Sequence, residues 1–322
     1  MNDPYSSPIS RREAVLRLSS TALAAAAVGA GALVFHNRRV VAGDAPAVPD
    51  WRLRVPAATP KAAAARGADP AANVRRALAA LGGMERFVRK GETVIIKPNI
   101  GWDRLPEQAA DTDPGVVAEL VRLCRAAGAG KVIVTDIPVN DPRRCFARSG
   151  IQAAALAAGA EVLETAALRM VPAAVGGLAA GLEVPQQFLA ADRVINVPVV
   201  KHHSLSRATL GMKNWFGAFG RGRNRLHQEI DRALAELCAT FRPTLTVMDA
   251  TRVLVANGPL GGSLADVRAV NAVAAGIDPV ACEAWGAQQM GLQPRSLGFI
   301  VEAERRGLGS ADLALVKDLG TA

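Results

Sequence analysis

Apolar and polar positions alternate along most of the chain in two periods, and the switches between them mark the elements. Asp69-Pro70 supplies a helix cap and a proline at the first helical position, and Val74, Ala77, Leu78 and Leu81 follow at helical spacing until Gly82-Gly83. A short β-branched run, Glu92 to Lys97, then reads as a buried strand ending in Lys97-Pro98-Asn99. The same grammar returns at Asp113-Pro114, where Val116, Val117, Leu120, Val121 and Cys124 form one stripe, and strand Lys131 to Thr135 ends at Asp136. Asp141-Pro142 opens a short helix. Ser149 with Gln152 predicts a capping box for a helix over 153–158, before strand Glu161 to Leu163. Further strands are expected over Arg193 to Val200 and Leu245 to Met248, the second ending in Asp249. Helices are expected over Glu229 to Phe241 and from Asp278-Pro279 to about Met290. Strands alternating with helices predict an α/β fold, a mainly parallel sheet with helices on both faces.

The ends of the chain's first third read differently. Residues 44–68 are rich in Pro and Ala without a sustained period and are expected to be a linker, with one short strand around Trp51 to Val55. The α/β domain is therefore expected over 69–322. Ahead of the linker, Arg11-Arg12 precede a weakly apolar Ala/Gly-rich run over 18–35, the pattern of a twin-arginine export signal spanning residues 1–43. An uncleaved membrane anchor is the alternative for 18–35, although the run is short and poorly hydrophobic for a permanent span. Periplasm or cell envelope is the expected location, with the twin-arginine machinery as a partner. Uncleaved, that segment would be the chain's membrane contact.

Composition narrows the function classes. Hydrophobic residues make up 50% of the 322 and charged residues 21%, enough for a substantial core. The net charge is +9, but residues 1–43 hold five arginines against Asp3 and Glu13, so a third of it belongs to the expected signal. With no run of five like charges and Tyr5 as the one tyrosine, nucleic acid is not an expected partner. Cys124, Cys145, Cys238 and Cys282 include no CxxC, which disfavours an iron–sulfur cluster or a zinc knuckle. Two of them occupy apolar helical positions, where a buried thiol is the plain expectation.

Lys97 and Asn99, Asp136, Lys201 and His203, and Asp249 each follow a β-branched run, so a parallel sheet would gather them at one edge, where ligands bind in such sheets. The stretch from Asn196 to His227 holds three of the four histidines, Lys213 and Asn214. Lys97, Lys201 and Lys213 together call for an anion, and Asn214 can orient it through donor and acceptor. The loop Asn257 to Gly262 is a candidate anion nest through the backbone N–H groups of Gly258 and Gly262. The glycine-rich basic stretch Gly217 to His227 suits a flap over an anionic ligand or a solvated loop. Adjacent residues of a strand face opposite ways, so His203 rather than both His202 and His203 is expected in the site. His203, His227 and Asp249 would make a two-histidine, one-carboxylate site for a divalent metal. The same histidines, with Lys201, equally suit general acid/base catalysis.

Taken in order, Lys97-Pro98-Asn99, Thr112-Asp113-Pro114, Asn196-Val197-Pro198, Lys201-His202-His203, Lys213-Asn214 with Gly217, His227, and Gly258-Pro259 with Gly262 resemble the successive motifs of the family catalogued as domain of unknown function 362. The resemblance runs from about Val94 to Leu292. Where that family commonly has Lys-Thr-His, this chain has Lys201-His202-His203, which makes His203 the family histidine. Many relatives add a ferredoxin-like segment with clustered cysteines, which this sequence lacks, so the resemblance implies no iron–sulfur role here. The expected function is an exported enzyme, metal- or cofactor-assisted and oxidoreductase-like in one version, acting on a small anionic compound. The alternative is an exported binding protein that holds such a ligand without turnover.

Overall fold

The computed structural model describes residues 45–321, so the expected signal or anchor lies outside them. In chain order the elements are β1 (Ala62–Arg66), α1 (Pro70–Ala80), β2 (Thr93–Pro98), α2 (Pro114–Ala126), β3 (Lys131–Thr135), α3 (Pro142–Arg148), α4 (Ile151–Ala157) and β4 (Glu161–Leu163). They continue with β5 (Met170–Pro172), β6 (Glu183–Pro185), α5 (Gln186–Ala190), β7 (Arg193–Val197), β8 (Val199–His203), β9 (Arg207–Thr209) and α6 (Gly211–Asn214). The last are α7 (Ile230–Thr240), β10 (Leu245–Leu254), β11 (Val267–Gly276), α8 (Pro279–Gln289), α9 (Gly298–Arg305) and β12 (Val316–Thr321). All four Asp-Pro starts are genuine caps. Asp69, Asp113, Asp141 and Asp278 each accept a backbone N–H of the first turn, and the proline that follows has no N–H to leave unsatisfied. The Ser149 capping box is not formed: Gly150, in the left-handed region, starts α4, and Gln152 donates to Glu164 instead.

One ten-stranded sheet runs in the order β12-β1-β11-β10-β7-β2-β3-β4, with β8 and β9 extending it beside β10. Pairing is parallel from β10 through β4, while β11 and β9 run against their neighbours. β5 and β6 form a separate antiparallel pair. The strand period of two sorts side chains into two cores. Val94, Ile96, Val132 and Val134 face one core with Val74 and Leu78 of α1 and Val116 and Leu120 of α2. Ile95, Ile133, Val194 and Met248 face the other, with α7, α8 and α9. The four cysteines are free and buried.

Three expectations change. Residues 44–68 are not a linker throughout, because β1 lies inside the sheet between β11 and β12. No strand forms over Trp51 to Val55; Trp51 is instead buried, its Nε1 donating to the Ala191 carbonyl at 3.1 Å. β1 is Ala62-Ala63-Ala64-Ala65-Arg66, a sequence with no β-branched residue to announce it. Its neighbours need its smallness: a Cβ on Gly276 opposite would come within 2.8 Å of the Ala62 Cβ. The run Arg193 to Val200 is two strands, broken at Pro198, and the second continues through Lys201, His202 and His203. Finally, β10 does not stop at Met248. It runs to Leu254, which leaves Asp249 in mid-strand.

Candidate functional site

Where β2, β3 and β8 end, a cleft of about 170 Å³ opens, bounded by α6 and the segment 215–227. Lys201 and His203, two apart on β8, both reach it, as do Asn99, Lys213, Asn214 and His227. His202 points the other way, and its Nδ1 accepts the Gly258 N–H at 3.1 Å. Of the pair, His203 alone lines the cleft.

The floor is a chain of polar contacts. Lys97 is fully buried behind the cleft, its Nζ 2.7 Å from Asp136 Oδ1, while Asp136 Oδ2 accepts the Ile100 N–H at 2.8 Å. Burial pulls the Lys97 ammonium below its usual range, and Asp136 opposes that pull. Lys201 Nζ donates to Asn99 Oδ1 at 3.1 Å and to the Ala110 carbonyl. Asn99 Nδ2 donates to Asn214 Oδ1, and Asn214 Nδ2 to Asn196 Oδ1 at 2.8 Å and the Lys97 carbonyl. Each amide thus has its donor and acceptor ends assigned by its partners. Lys213 differs from the other lysines. Its Nζ lies 3.5 Å from the centroid of the Phe216 ring.

The two site histidines carry opposite tautomers. His203 Nδ1 accepts the N–H groups of Leu205 (3.2 Å) and Ser206 (3.3 Å), which requires a lone pair there and places the ring proton on Nε2. His227 Nδ1 lies 3.1 Å from the Asn224 carbonyl, which can only accept, so its proton is on Nδ1 and its Nε2 keeps a lone pair. The rings are nearly parallel, centroids 6.2 Å apart. Burial, with Lys213 next, lowers both, His203 to about 3, so both are neutral near pH 7.

The metal trio does not assemble. Asp249 is spent on structure: Oδ2 accepts the Asp113 N–H at 2.7 Å, and Oδ1 accepts both the amide and the hydroxyl of Thr251. It anchors the start of α2 to β10 and does not line the cleft. His203 has committed Nδ1, and no group of three metal-ligating side chains exists among the described residues. The anion nest is likewise corrected. Gly258 N–H goes to His202, Gly261 N–H goes to the Asn257 carbonyl, and Gly262 points its carbonyl at Gln108, so neither Gly258 nor Gly262 faces the cleft. Pro259 does line it.

The basic stretch Gly217 to His227 is tied down. Arg223 donates to the carbonyls of Ile137, Pro138, Phe216 and Phe219, and Leu226 is buried. A Cβ on Gly217 would lie 1.9 Å from Asp136 Oδ1 and 2.9 Å from Lys97 Nζ. Gly217→Ala is therefore expected to cost about 1–3 kcal/mol through overpacking. A urea midpoint equal to wild type would show that the loop yields freely.

Several site residues escaped the sequence reading. Asp111 accepts the Trp102 N–H at 3.0 Å, leaves Oδ2 without a partner, and is pushed up by burial against the pull of Lys201. Its signal was a second carboxylate two residues before the Asp113 cap. Thr209 lines the cleft with a buried, unpartnered Oγ1, placed opposite Lys201 by the β8–β9 register. Glu283 lies behind α6, accepting the Met212 N–H at 3.0 Å. The lone carboxylate in the apolar helix Pro-Val-Ala-Cys-Glu-Ala-Trp was its signal.

The model of the family described as "Domain of unknown function (DUF362)" matches residues 94–288, more than half of the chain. The chain belongs to this family. Thylakoid-associated protein sll1697 of Synechocystis sp. is 30% identical over 251 residues, covering 74% of this chain and 75% of that protein. Among solved structures, the lactate racemase apoprotein from Thermoanaerobacterium thermosaccharolyticum is similar at 15% identity and a TM-score of 0.37, over 76% of this chain and 60% of that one. The DUF362 match contains every cleft residue named above, from Asn99 to Pro259, and Lys97 behind them.

Proposed function

We propose that this DUF362 protein is an enzyme that moves a proton on a small anionic compound bound in the cleft. The observation that carries the reading is the pair of opposite tautomers. A neutral His227 with a free Nε2 lone pair is a general base, and a neutral His203 with Nε2–H is a hydrogen-bond donor to the oxygen on which charge develops. Lys201 has two of its three N–H groups committed, which leaves one for the ligand. Lys201, Lys213 and Arg223 exceed the local carboxylates in charge, since Asp136 is paired with Lys97. A cleft of about 170 Å³ limits the ligand to a few heavy atoms.

Export by the twin-arginine route is part of the proposal and rests on Arg11-Arg12 and the apolar run after them. The described residues contain no helix long and apolar enough to cross a membrane. Membrane contact would then fall to the N-terminal segment.

Deuterium exchange at the carbon next to the carbonyl, followed by NMR with pyruvate and acetoacetate in heavy water, tests the chemistry. Wild type is expected to accelerate exchange, and His227→Gln to lose about 10²–10⁴-fold of it while ligand binding persists. Because the His227 pKa is lowered, the rate should be flat at neutral pH and fall only as acid protonates Nε2 below the ordinary histidine range. Binding without exchange in wild type would replace this reading with that of a binding protein.

A further inference from the structure

The three lysines of the site are not equivalent. Lys97 Nζ holds Asp136 and the Pro98 carbonyl, and Lys201 Nζ holds Asn99 and the Ala110 carbonyl. Lys213 Nζ has no hydrogen-bond acceptor among the described residues, and the group it touches is the face of Phe216. The charged and titratable groups around it are Lys201 and His203 of β8, Arg223 and His227 of the segment after α6, and Lys97 of β2. The carboxylates of the site are turned elsewhere, Asp136 to Lys97 and Asp111 toward Lys201.

From this placement we propose that Lys213 is a nucleophilic amine that captures the carbonyl carbon of a small anionic aldehyde or ketone, a 2-oxo carboxylate in the simplest case, as an imine. The proposal rests on the reading of the cleft as a site for small anions. A buried ammonium without a counter-ion among other cations loses its proton readily and keeps a lone pair, and these effects oppose the attraction of the Phe216 face for the charged form. Burial first, then Lys201, Arg223 and Lys97, bring the Lys213 pKa down to about 7.

The step balances with groups already present. The amine nitrogen attacks the carbonyl carbon, a C–N bond forms, and the π pair moves to oxygen. His227 Nε2 takes one proton from nitrogen and returns it to that oxygen, giving a neutral carbinolamine. One proton taken up from the solvent then lets the hydroxyl leave as water with the C–O pair, while the nitrogen lone pair closes the C=N bond. Nitrogen retains one proton and becomes cationic. No oxidant or reductant is needed, and the new cation faces the ligand's own carboxylate.

Pyruvate and glyoxylate with sodium cyanoborohydride test this on the full protein, with peptide mass spectrometry locating the reduced adduct. The expected result is one adduct per chain on Lys213, lost in both Lys213→Met and the charge-preserving Lys213→Arg. Its rate should rise with pH around a midpoint near 7, the value to which Lys213 is lowered, and not keep climbing toward the ordinary lysine range. Labelling spread over exposed lysines, or unchanged labelling of the chain in Lys213→Arg, overturns the proposal. Pyruvate binding seen by fluorescence of Trp102 in the cleft, with no adduct, overturns the imine and leaves the proton-transfer reading standing. Neither binding nor adduct with both probes overturns the two together.

Discussion

Lys97→Met is expected to destabilise the protein by about 3–5 kcal/mol, the usual cost of stranding one member of a buried ion pair. The Lys97 side chain is fully inaccessible and that of Asp136, on the cleft wall, is 3% exposed, so little solvent reaches the carboxylate left behind. Asp136 would retain one hydrogen-bond partner, the Ile100 N–H, and the more distant charges of Lys201 and Arg223, but no cation in contact. Adding Asp136→Asn to Lys97→Met should recover most of the loss, because a neutral amide can still accept from Ile100 and no charge remains buried. Urea unfolding of wild type, the two single variants and the double variant measures the coupling. A Lys97→Met cost below about 1 kcal/mol, or additive losses in the double variant, would show that the pair is not a coupled buried unit.

The second large effect is a pH dependence centred on Glu283. Its carboxyl is buried, and burial pushes its pKa up to about 8 against the opposing amides of Met212 and Gly211. A carboxyl raised in the folded state stabilises the fold most fully below the ordinary glutamate range. That contribution drains away as pH climbs through about 8, at up to about 1.4 kcal/mol per pH unit. Glu283→Gln keeps an oxygen for the Met212 N–H and carries no proton to lose. Its stability should therefore exceed that of wild type at pH 8 and above, with a shallower slope from pH 5 upward. Asp278 and Asp249 are also raised by burial and add to the wild-type slope, so the informative quantity is the difference between the two proteins. Melting curves across this range that run parallel would show that Glu283 is not the titrating group. Since Glu283 supports α6, which carries Lys213 and Asn214, the loss of stability should be accompanied by weaker ligand binding.

Much of this architecture is written locally. Each Asp-Pro pair marks a helix start because aspartate accepts first-turn amides and proline has none to satisfy, and neither property depends on the rest of the chain. The β-branched runs at Val94 to Ile96, Val132 to Val134 and Val194 to Val197 are strands for an equally local reason, and their alternation implies parallel packing between two helical layers. Lys97, Lys201, His203 and Asn214 were legible as site residues because polar side chains cluster after such runs. Strand β1 was not legible. Four alanines favour a helix in isolation, and only the close approach of β11 makes them a strand.

The fold class, the Asp-Pro helix starts and part of the set of side chains at the edge of the sheet were already written in the sequence. It also separated His202 from His203 through the strand period. Tertiary structure decided what each edge residue does. The extension of β10 past Met248 took Asp249 out of the site and gave its carboxylate to Asp113 and Thr251, while packing brought His227, 24 residues on, beside His203. The tautomers, by contrast, are set locally, by the amides of Leu205 and Ser206 for His203 and by the Asn224 carbonyl for His227, two or three residues from each ring. The reason is physical: caps and strand periods are short-range and recur wherever their residues do, whereas desolvation and hydrogen-bond partnership depend on which surfaces finally meet.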